Sequence, residues 1–393
     1  MKKINLAFYI NFNHKKWLGG LNIILNLANY LAENRKTLKY NFNIILITKN
    51  KKIKKDFNIS NKIKIIYNND LYQMGLWTRI FEKIHLFLFG KTLILEKFLK
   101  ENDINYLSHT DIATGKYSFC KSIVWIPDFQ YLHFPELFSF KYKLFKKINL
   151  FLYSIHAHKI VLSSDNARKD LKRISKIPTN KIFVNKFVFS IKDPKFLPDK
   201  NKLLKKYKIN NKYIFLPNQY WVHKNHLIVL KALKFLGKKN LKKYKIQIIS
   251  TGFNMDYRDP NHFRNIINYL KDNDLKKFYK YLGIIKYDEV LSLIYNSECI
   301  MNPSLFEGWN STVEKAKAYE KYLILSNIGV HFEQNPRYCD YFNPKKSENL
   351  AKLILNVYKS KKLYKQKFDY KLTEKKNNKK IFEYSKKFCQ KVL

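Results

Sequence analysis

Residues 298–319 read ECIMNPSLFEGWNSTVEKAKAY. The run from Glu298 to Asn302 is apolar and strand-like, Pro303 ends it, an acidic and aromatic loop follows, and 312–319 has the pattern of a helix. Strand, loop and helix in that order form the unit of an open α/β sheet, whose ligands bind beyond the carboxyl ends of the strands. Glu307 stands in that loop, where a carboxylate does little for a core. Like-charge repulsion excludes it as a phosphate holder, but it can accept hydroxyls in pairs, as a sugar requires. Asn310, Ser311 and Thr312 offer a helix cap and open N–H groups, and Glu314 stays near the same end. Acceptors for hydroxyls and donors for phosphate in one place suggest a nucleotide-sugar. A capped helix with surface acids accounts for Thr312 and Glu314 but poorly for Glu307.

The same alternation runs outward along the chain. Strand-like runs stand at 4–10, 42–48, 63–67, 104–109, 123–126, 159–163 and 182–187, with helical patterns between them, for instance 21–31 and 80–99. The rhythm lapses over 190–212, SIKDPKFLPDKNKLLKKYKINNK, which has two prolines, many charges and no sustained strand. It then restarts, with strands at 213–217, 245–251, 279–283, 299–302 and 323–326 and helices at 226–236, 263–270, 288–295 and 312–319. The expected fold class is α/β: two Rossmann-like domains, each with an open parallel sheet, at 1–190 and 213–375. A linker at 191–212 joins them, and a C-terminal helix, 376–393, follows. A chain of 393 residues with 46% hydrophobic content has material for two cores.

The formal charge of +46 admits nucleic acid or an anionic membrane surface as a partner. The lysines are spread along the whole chain, among many Asn, Ile, Tyr and Phe, and arginines are few. That pattern favours compositional bias over a nucleic-acid stripe, so a basic nucleic-acid-binding α/β protein ranks low. No apolar run reaches the roughly 18 residues of a membrane span. Residues 76–100, LWTRIFEKIHLFLFGKTLILEKFLK, mix aromatics with cations as interfacial helices do, although a helix covering a sheet would read similarly. The start MKKINLAFYINF is broken by Asn5, Asn11 and Asn13 and lacks a small-residue cleavage site, so it reads as a first strand rather than a signal. Four scattered cysteines, without metal spacing, suit buried thiols in a reducing, cytoplasmic compartment.

Three further stretches carry chemistry. After the first strand, in NFNHKKWLGGLNIILNLANYL, two of the chain's ten glycines, Gly19 and Gly20, stand where strand hands over to helix, which suits a loop facing a phosphate or sugar or a plain tight turn. In FLPNQYWVHKNHLIVLKAL a polar loop precedes a helix starting near Asn225, and Lys224 stands at its N-terminus beside His223 and His226. A helix start prefers acids, so a lysine there makes most sense with a bound anion. In IVWIPDFQYLHFPELF, Asp128 and His133 are polar residues in an apolar loop, suited to acceptor binding or proton handling. A literal Asp272-Asn273-Asp274 could suggest a metal-dependent transferase, but it ends a helical pattern and reads as a turn.

FLPNQYWVHKNHLIVLKAL, MNPSLFEGWNSTVEKAKAY and SNIGVHFEQNP resemble the donor half of family-four glycosyltransferases, which have the GT-B fold. WIPDFQYLHFPELF and Trp17-Leu18-Gly19-Gly20 resemble the acceptor half, in the surface-polysaccharide and mannosyltransferase-like branch. The resemblance spans roughly residues 4–355. It implies two domains facing a cleft, with the C-terminal helix crossing back to the first. It implies a retaining, metal-independent transferase that moves a sugar from a nucleoside-diphosphate sugar to a glycan or lipid-linked acceptor, in the cytoplasm or at the membrane's inner face. The first domain would bind acceptor and the second donor. Glu307, His133 and Asp128 would be catalytic. Gly19, Gly20, Asn218, Lys224, Glu307, Gly308, Asn310, Ser311, Thr312 and Glu314 would bind donor, with Lys224 on the diphosphate. One departure stands out: the Glu-x7-Glu motif counted from Glu307 ends on Lys315, and the acid comes one residue early, at Glu314. Asn218 and Gln219 stand where the family often has an arginine. Lys315 also leaves open a non-catalytic member that binds a glycan or nucleotide-sugar. Sugar, base, acceptor and linkage are not legible here.

Overall fold

The computed structural model describes residues 4–10, 18–68, 71, 75–360 and 368–392. The chain forms two compact units, each built on one parallel sheet. The first comprises Met1–Leu132, Phe138–Val188 and Lys380–Leu393, and the second His133–Leu137 and Phe189–Lys379.

The first sheet contains β1 (Ile4–Tyr9), β2 (Phe42–Thr48), β3 (Lys64–Tyr67), β4 (Tyr106–Thr110), β5 (Lys121–Ile126), β6 (Lys159–Leu162) and β7 (Ile182–Val184), in the order β3-β2-β1-β4-β5-β6-β7. The second contains β8 (Ile214–Leu216), β9 (Ile248–Ser250), β10 (Tyr279–Tyr281), β11 (Cys299–Asn302), β12 (Leu323–Ser326) and β13 (Cys339–Phe342), in the order β10-β9-β8-β11-β12-β13. Strands such as FNIILIT and CIMN are near-continuously apolar because helices cover both faces of a parallel sheet. The pleat then divides their side chains. Ile214 and Leu216 enter one core with the helices His226–Lys243 and Ser347–Lys359, while Phe215 enters the opposite core with the helices Tyr287–Asn296 and Ser311–Ala318.

In each sheet the chain winds outward in one direction and then in the other. The reversal falls between β1 and β4 in the first unit and between β8 and β11 in the second, where Cys299 pairs with Ile214. Loops leaving two neighbouring strands on opposite sides of such a point splay apart and leave a crevice at their carboxyl ends. In the second unit those loops are the ones that carry Lys224 and Glu307.

Several elements differ from expectation. Residues 191–212 do not link the domains. Leu197, Leu203 and Ile209 are buried in a core of the second unit, Lys192 pairs with Asp288 at 2.7 Å, and Tyr207 donates to Glu289 at 2.8 Å. Four of the lysines that suggested a linker, Lys200, Lys202, Lys205 and Lys206, lie on a short helix, Lys200–Lys206, whose Leu203 is buried in that core. The unit boundary falls instead between Val188 and Phe189. The pattern at 80–99 is two helices, Leu76–Phe89 and Ile94–Glu101, because Gly90 ends the first in a left-handed conformation (φ 67°). β13 was not anticipated: it is a four-residue strand at the sheet edge, and Asp340 interrupts its apolar character. Gly19 and Gly20 lie within the helix Leu18–Glu33 rather than in a loop, and residues 11–17, with Trp17, fall outside the described residues.

The C-terminal helix, Tyr370–Val392, begins earlier than 376, and its residues from Lys380 onward belong to the first unit. There Phe388 is fully buried, with its ring 5.8 Å from His109 and 6.4 Å from Phe183. Removing a buried phenyl ring costs about 3–5 kcal/mol. Phe388→Ala should therefore lower the thermal transition of the first unit and leave that of the second in place. An unshifted first transition in calorimetry would contradict this packing.

Candidate functional site

The loop after β8 begins at Pro217 and turns through a short 3-10 segment, Val222–Lys224. Asn225 follows in the left-handed region (φ 55°), and the helix starts at His226, as the sequence suggested, but runs on to Lys243. Asparagine tolerates that backbone conformation better than most residues. Its side chain also donates to the carbonyls of Pro303 (3.2 Å) and Pro344 (3.0 Å), tying this turn to the loop after β11. Two more bonds join the same loops: Leu305 N–H donates to His223 O at 2.8 Å, and Asn302 Nδ2 to Asn218 Oδ1 at 3.3 Å.

Within that frame Lys224 Nζ lies 2.7 Å from Glu307 Oε1, the two side chains being 14% and 7% exposed. Asn310 Nδ2 donates to the same oxygen at 2.8 Å, while Asn310 Oδ1 accepts from Thr312 N–H (2.9 Å) and Val313 N–H (3.1 Å), capping the helix Ser311–Ala318. One asparagine thus fixes the helix start and the carboxylate together. Thr312 Oγ1 reaches back to Pro217 O at 3.3 Å, closing the loop onto β8. Ser311 opens the helix, and Gly308 and Trp309, partly exposed, form the bend between Glu307 and the cap.

Glu314 and Lys315 part company. Glu314 is buried, and its Oε1 accepts from Gln334 Nε2 (2.8 Å) and Lys317 Nζ (3.0 Å). One residue on is about 100° around a helix. Lys315 accordingly points elsewhere, its ammonium 4.7 Å from the Phe189 ring centre and 5.1 Å from that of Tyr287. Burial pushes this lysine down to about 8.

Sequence reasoning missed the residues behind this front. Gln334 also donates to Asn310 O at 2.9 Å, so it steadies the cap. His331, fully buried in the short helix Gly329–Gln334 that follows β12, donates through Nδ1 to Ser326 O at 2.9 Å. Arg258, on the loop after β9, forks onto Asp256 at 2.7 and 2.9 Å, and Asp256 in turn accepts from Val222 N–H at 3.0 Å. This arginine braces the lysine turn rather than standing upstream of Lys224. The only sequence signal for these residues was position, each lying just beyond a strand of the same sheet.

The other candidates divide between the two units. Asp128 follows β5 of the first unit, and its Oδ1 accepts from Gln130 N–H at 3.0 Å, capping the short helix Gln130–His133. His133 groups with the second unit, where its ring lies 4.7 Å from that of Phe306, the neighbour of Glu307. Gly19 and Gly20 open the helix after β1 in the first unit, at that sheet's own reversal point. A Cβ at Gly19 would meet nothing within 4 Å, so no protein contact there demands a glycine. Asp272 ends the helix His262–Asp272 and Asp274 pairs with Lys238 at 2.8 Å, as a turn would. Among the described residues no three His, Cys, Asp or Glu side chains group as a metal site.

No protein-family model and no curated protein matches this sequence. Solved structures do match in shape. A glycosyltransferase from Rickettsia africae is 17% identical, with a TM-score of 0.64 over 98% of this chain and 99% of that one. The HepE protein of Anabaena, solved with UDP and glucose, is 12% identical, with a TM-score of 0.65 over 97% and 100%. WaaB, a lipopolysaccharide outer core galactosyltransferase, is 15% identical, with a TM-score of 0.59 over 99% of each chain. The fold is GT-B. In this GT-B chain the loops leaving β8 and β11 bring a lysine, a carboxylate and a capped helix start together at the reversal of the second sheet.

The buried histidines give the second unit a pH dependence. Burial pushes His226, stacked on Tyr220 at 3.9 Å, down to about 3. Burial likewise takes His331 to about 4, against the pull of Glu307. A free imidazole titrates near 6.5. Between about 6.5 and about 4 the unfolded chain therefore binds protons that the folded unit refuses, so stability is full above that window and falls as pH drops through it. Urea unfolding between about pH 7 and about pH 4.5 should show this slope. Either His226→Gln or His331→Gln should flatten it, and equal slopes in wild type and both variants would disprove the assignment.

Proposed function

We propose that this chain is a glycosyltransferase that moves a sugar from a nucleoside-diphosphate sugar to a hydroxyl of a glycan or lipid-linked acceptor, in the synthesis of a surface polysaccharide. The observation that carries the reading is the meeting of Lys224, Glu307 and Asn310 at the chain reversal of the second sheet. It is supported by a fold shared with sugar transferases, one of them solved with UDP and glucose. The inner side of the cytoplasmic membrane suits it, since all four cysteines are free.

The chemistry follows from the donors and acceptors present. An ammonium carries three donors, and Glu307 takes one, leaving two for diphosphate oxygens. Both bonds to Glu307 fall on Oε1, so among the described residues Oε2 is the oxygen that remains for a sugar hydroxyl. As the glycosidic C–O bond to the donor breaks, negative charge gathers on the diphosphate, beside Lys224 and the helix start at His226. Glu307 holds the ring so that the acceptor hydroxyl enters from the face the diphosphate leaves and passes its proton to the departing diphosphate oxygen as the new C–O bond forms, which retains the anomeric configuration. The lysine supplies the charge compensation that a metal supplies elsewhere, so transfer should survive chelation.

A charge-assisted bond to phosphate is worth about 1.5–3 kcal/mol. Lys224→Ala should therefore weaken nucleotide-sugar binding by about 10–100-fold, and Glu307→Ala should reduce turnover more than affinity. Calorimetric titration with UDP-, GDP-, ADP- and CMP-linked sugars would find the donor, and NMR of the product would give its anomeric configuration. Unchanged binding and turnover in both variants would sink the assignment. Binding without transfer or hydrolysis of any donor would favour a non-catalytic binder, a reading that Lys315 supports by placing a cation where the family's second acid is expected.

A further inference from the structure

The first unit displays an apolar face that its own core does not use. The helix Leu76–Phe89 turns Leu86 into the core, and the helix Phe140–His156 does the same with Leu150 and Tyr153. Each carries a second apolar stripe on the other side. On the first helix it is Trp77, Phe81, Ile84 and Leu88, and on the second Phe140, Leu144, Ile148, Phe151 and Ile155, both at helical spacing. All are exposed, with Trp77 at 81%, Phe140 at 76% and Leu88 at 64%. The two stripes adjoin: Phe87 and Phe151 lie 6.2 Å apart, and Lys83 Nζ sits 3.5 Å over the Phe145 ring while donating to Asn149. Contiguous exposed aromatic and aliphatic surface on this scale marks an interaction site.

Charge says what covers it. The second helix carries Lys141, Lys143, Lys146 and Lys147 and no acid. The first carries Arg79 and Lys83, and its one acid, Glu82, is buried, accepting from Leu93 N–H (3.1 Å) and Ile94 N–H (3.0 Å). The face is therefore cationic and apolar, with no outward carboxylate on either helix. A second copy would oppose lysine to lysine, because a two-fold interface sets the same patch on both sides. An anionic bilayer offers phosphates to the lysines and the acyl boundary to the rings. Among the described residues no helix is long and apolar enough to cross a membrane, so the contact is with its surface.

We propose that these two helices dock the chain on an anionic lipid bilayer. The proposal rests on surface residues of the first unit, independently of the transferase reading. Because the whole chain is basic, the test must separate this face from diffuse charge. The full chain should co-sediment with phosphatidylcholine vesicles containing phosphatidylglycerol and much less with phosphatidylcholine alone. The variant Trp77→Ser/Leu88→Ser/Phe140→Ser/Phe151→Ser should lose on the order of tenfold or more in binding. Lys141→Glu/Lys147→Glu should lose about as much, while the matched pair Lys276→Glu/Lys277→Glu on the second unit changes binding by less than about twofold. Brominated acyl chains should quench the fluorescence of the wild type, and Trp77→Phe should remove most of that quenching. Equal losses from the two charge pairs, or full binding by the serine variant, would overturn the proposal. So would a lipid-free dimer that the serine variant dissociates, with no vesicle binding. Nucleotide-sugar thermal shifts should stay intact in the surface variants, and Lys224→Ala should still bind vesicles, so this idea and the transferase reading can fail separately.

Discussion

A lysine and a glutamate, both largely removed from water, meet at 2.7 Å where the second sheet reverses direction. Taking two such charges out of water costs several kcal/mol each, and a well-packed apolar pair would often serve stability as well or better. The pair is therefore weak as a device for holding the fold together. It is strong as a device for holding position. Each side chain holds the other in place, and each sits between a strand and the helix that follows it. The surrounding bonds, from Asn225 to Pro303, from Leu305 to His223 and from Asn310 to Glu307, make those loops one body. That pattern of rigid backbone around partly unsatisfied charge is what a binding site for a charged ligand requires.

Behind the charges lies an aromatic and histidine layer that explains the rigidity. Tyr220 is fully buried and stacks on His226 at 3.9 Å, and its hydroxyl meets that of Tyr279 at 2.9 Å. The loop carrying Lys224 thus begins on a ring anchored across β9 and β10. The loop carrying Glu307 ends on the helix that Asn310 caps and Gln334 steadies. The two cores on either face of the sheet transmit this order, since Leu216 and Phe215, adjacent in β8, are locked into opposite layers.

Much of this could be read in the residues. Continuous apolar runs such as CIMN and LILS, broken by Pro303 or Asn327, announced parallel strands with their loops on one side. Lys224 and Glu307 stood out because a cation before a helix and an acid after a strand both run against local preference. What could not be read depended on tertiary contact. Residues 191–212 look like a linker only until Leu197, Leu203 and Ile209 meet a core. β13 has too few apolar residues to declare itself and is defined by pairing with β12, Ile324 against Asp340. Gly90 divides an apolar stretch that composition alone presents as one helix. At the site, Gln334 acts through Asn310 and Glu314 on another element, and Arg258 through Asp256 on Val222, contacts that leave no trace in periodicity.

Glu314 and Lys315, neighbours in the chain, have entirely different surroundings. With Asn310 fixing the helix start, rotation along the helix is set, and the two side chains cannot exchange places without breaking the cap. Glu314 is committed to Gln334 and Lys317, and Lys315 to the space between Phe189 and Tyr287. A carboxylate accepts hydroxyls; an ammonium donates and carries opposite charge. Lys315 is therefore a cation framed by aromatic faces, one residue beyond a carboxylate that is itself bonded to Gln334 and Lys317. The shape of the fold is shared with sugar transferases that differ from this chain at more than four positions in five, so the contacts that set this helix apart belong to the chain's own sequence.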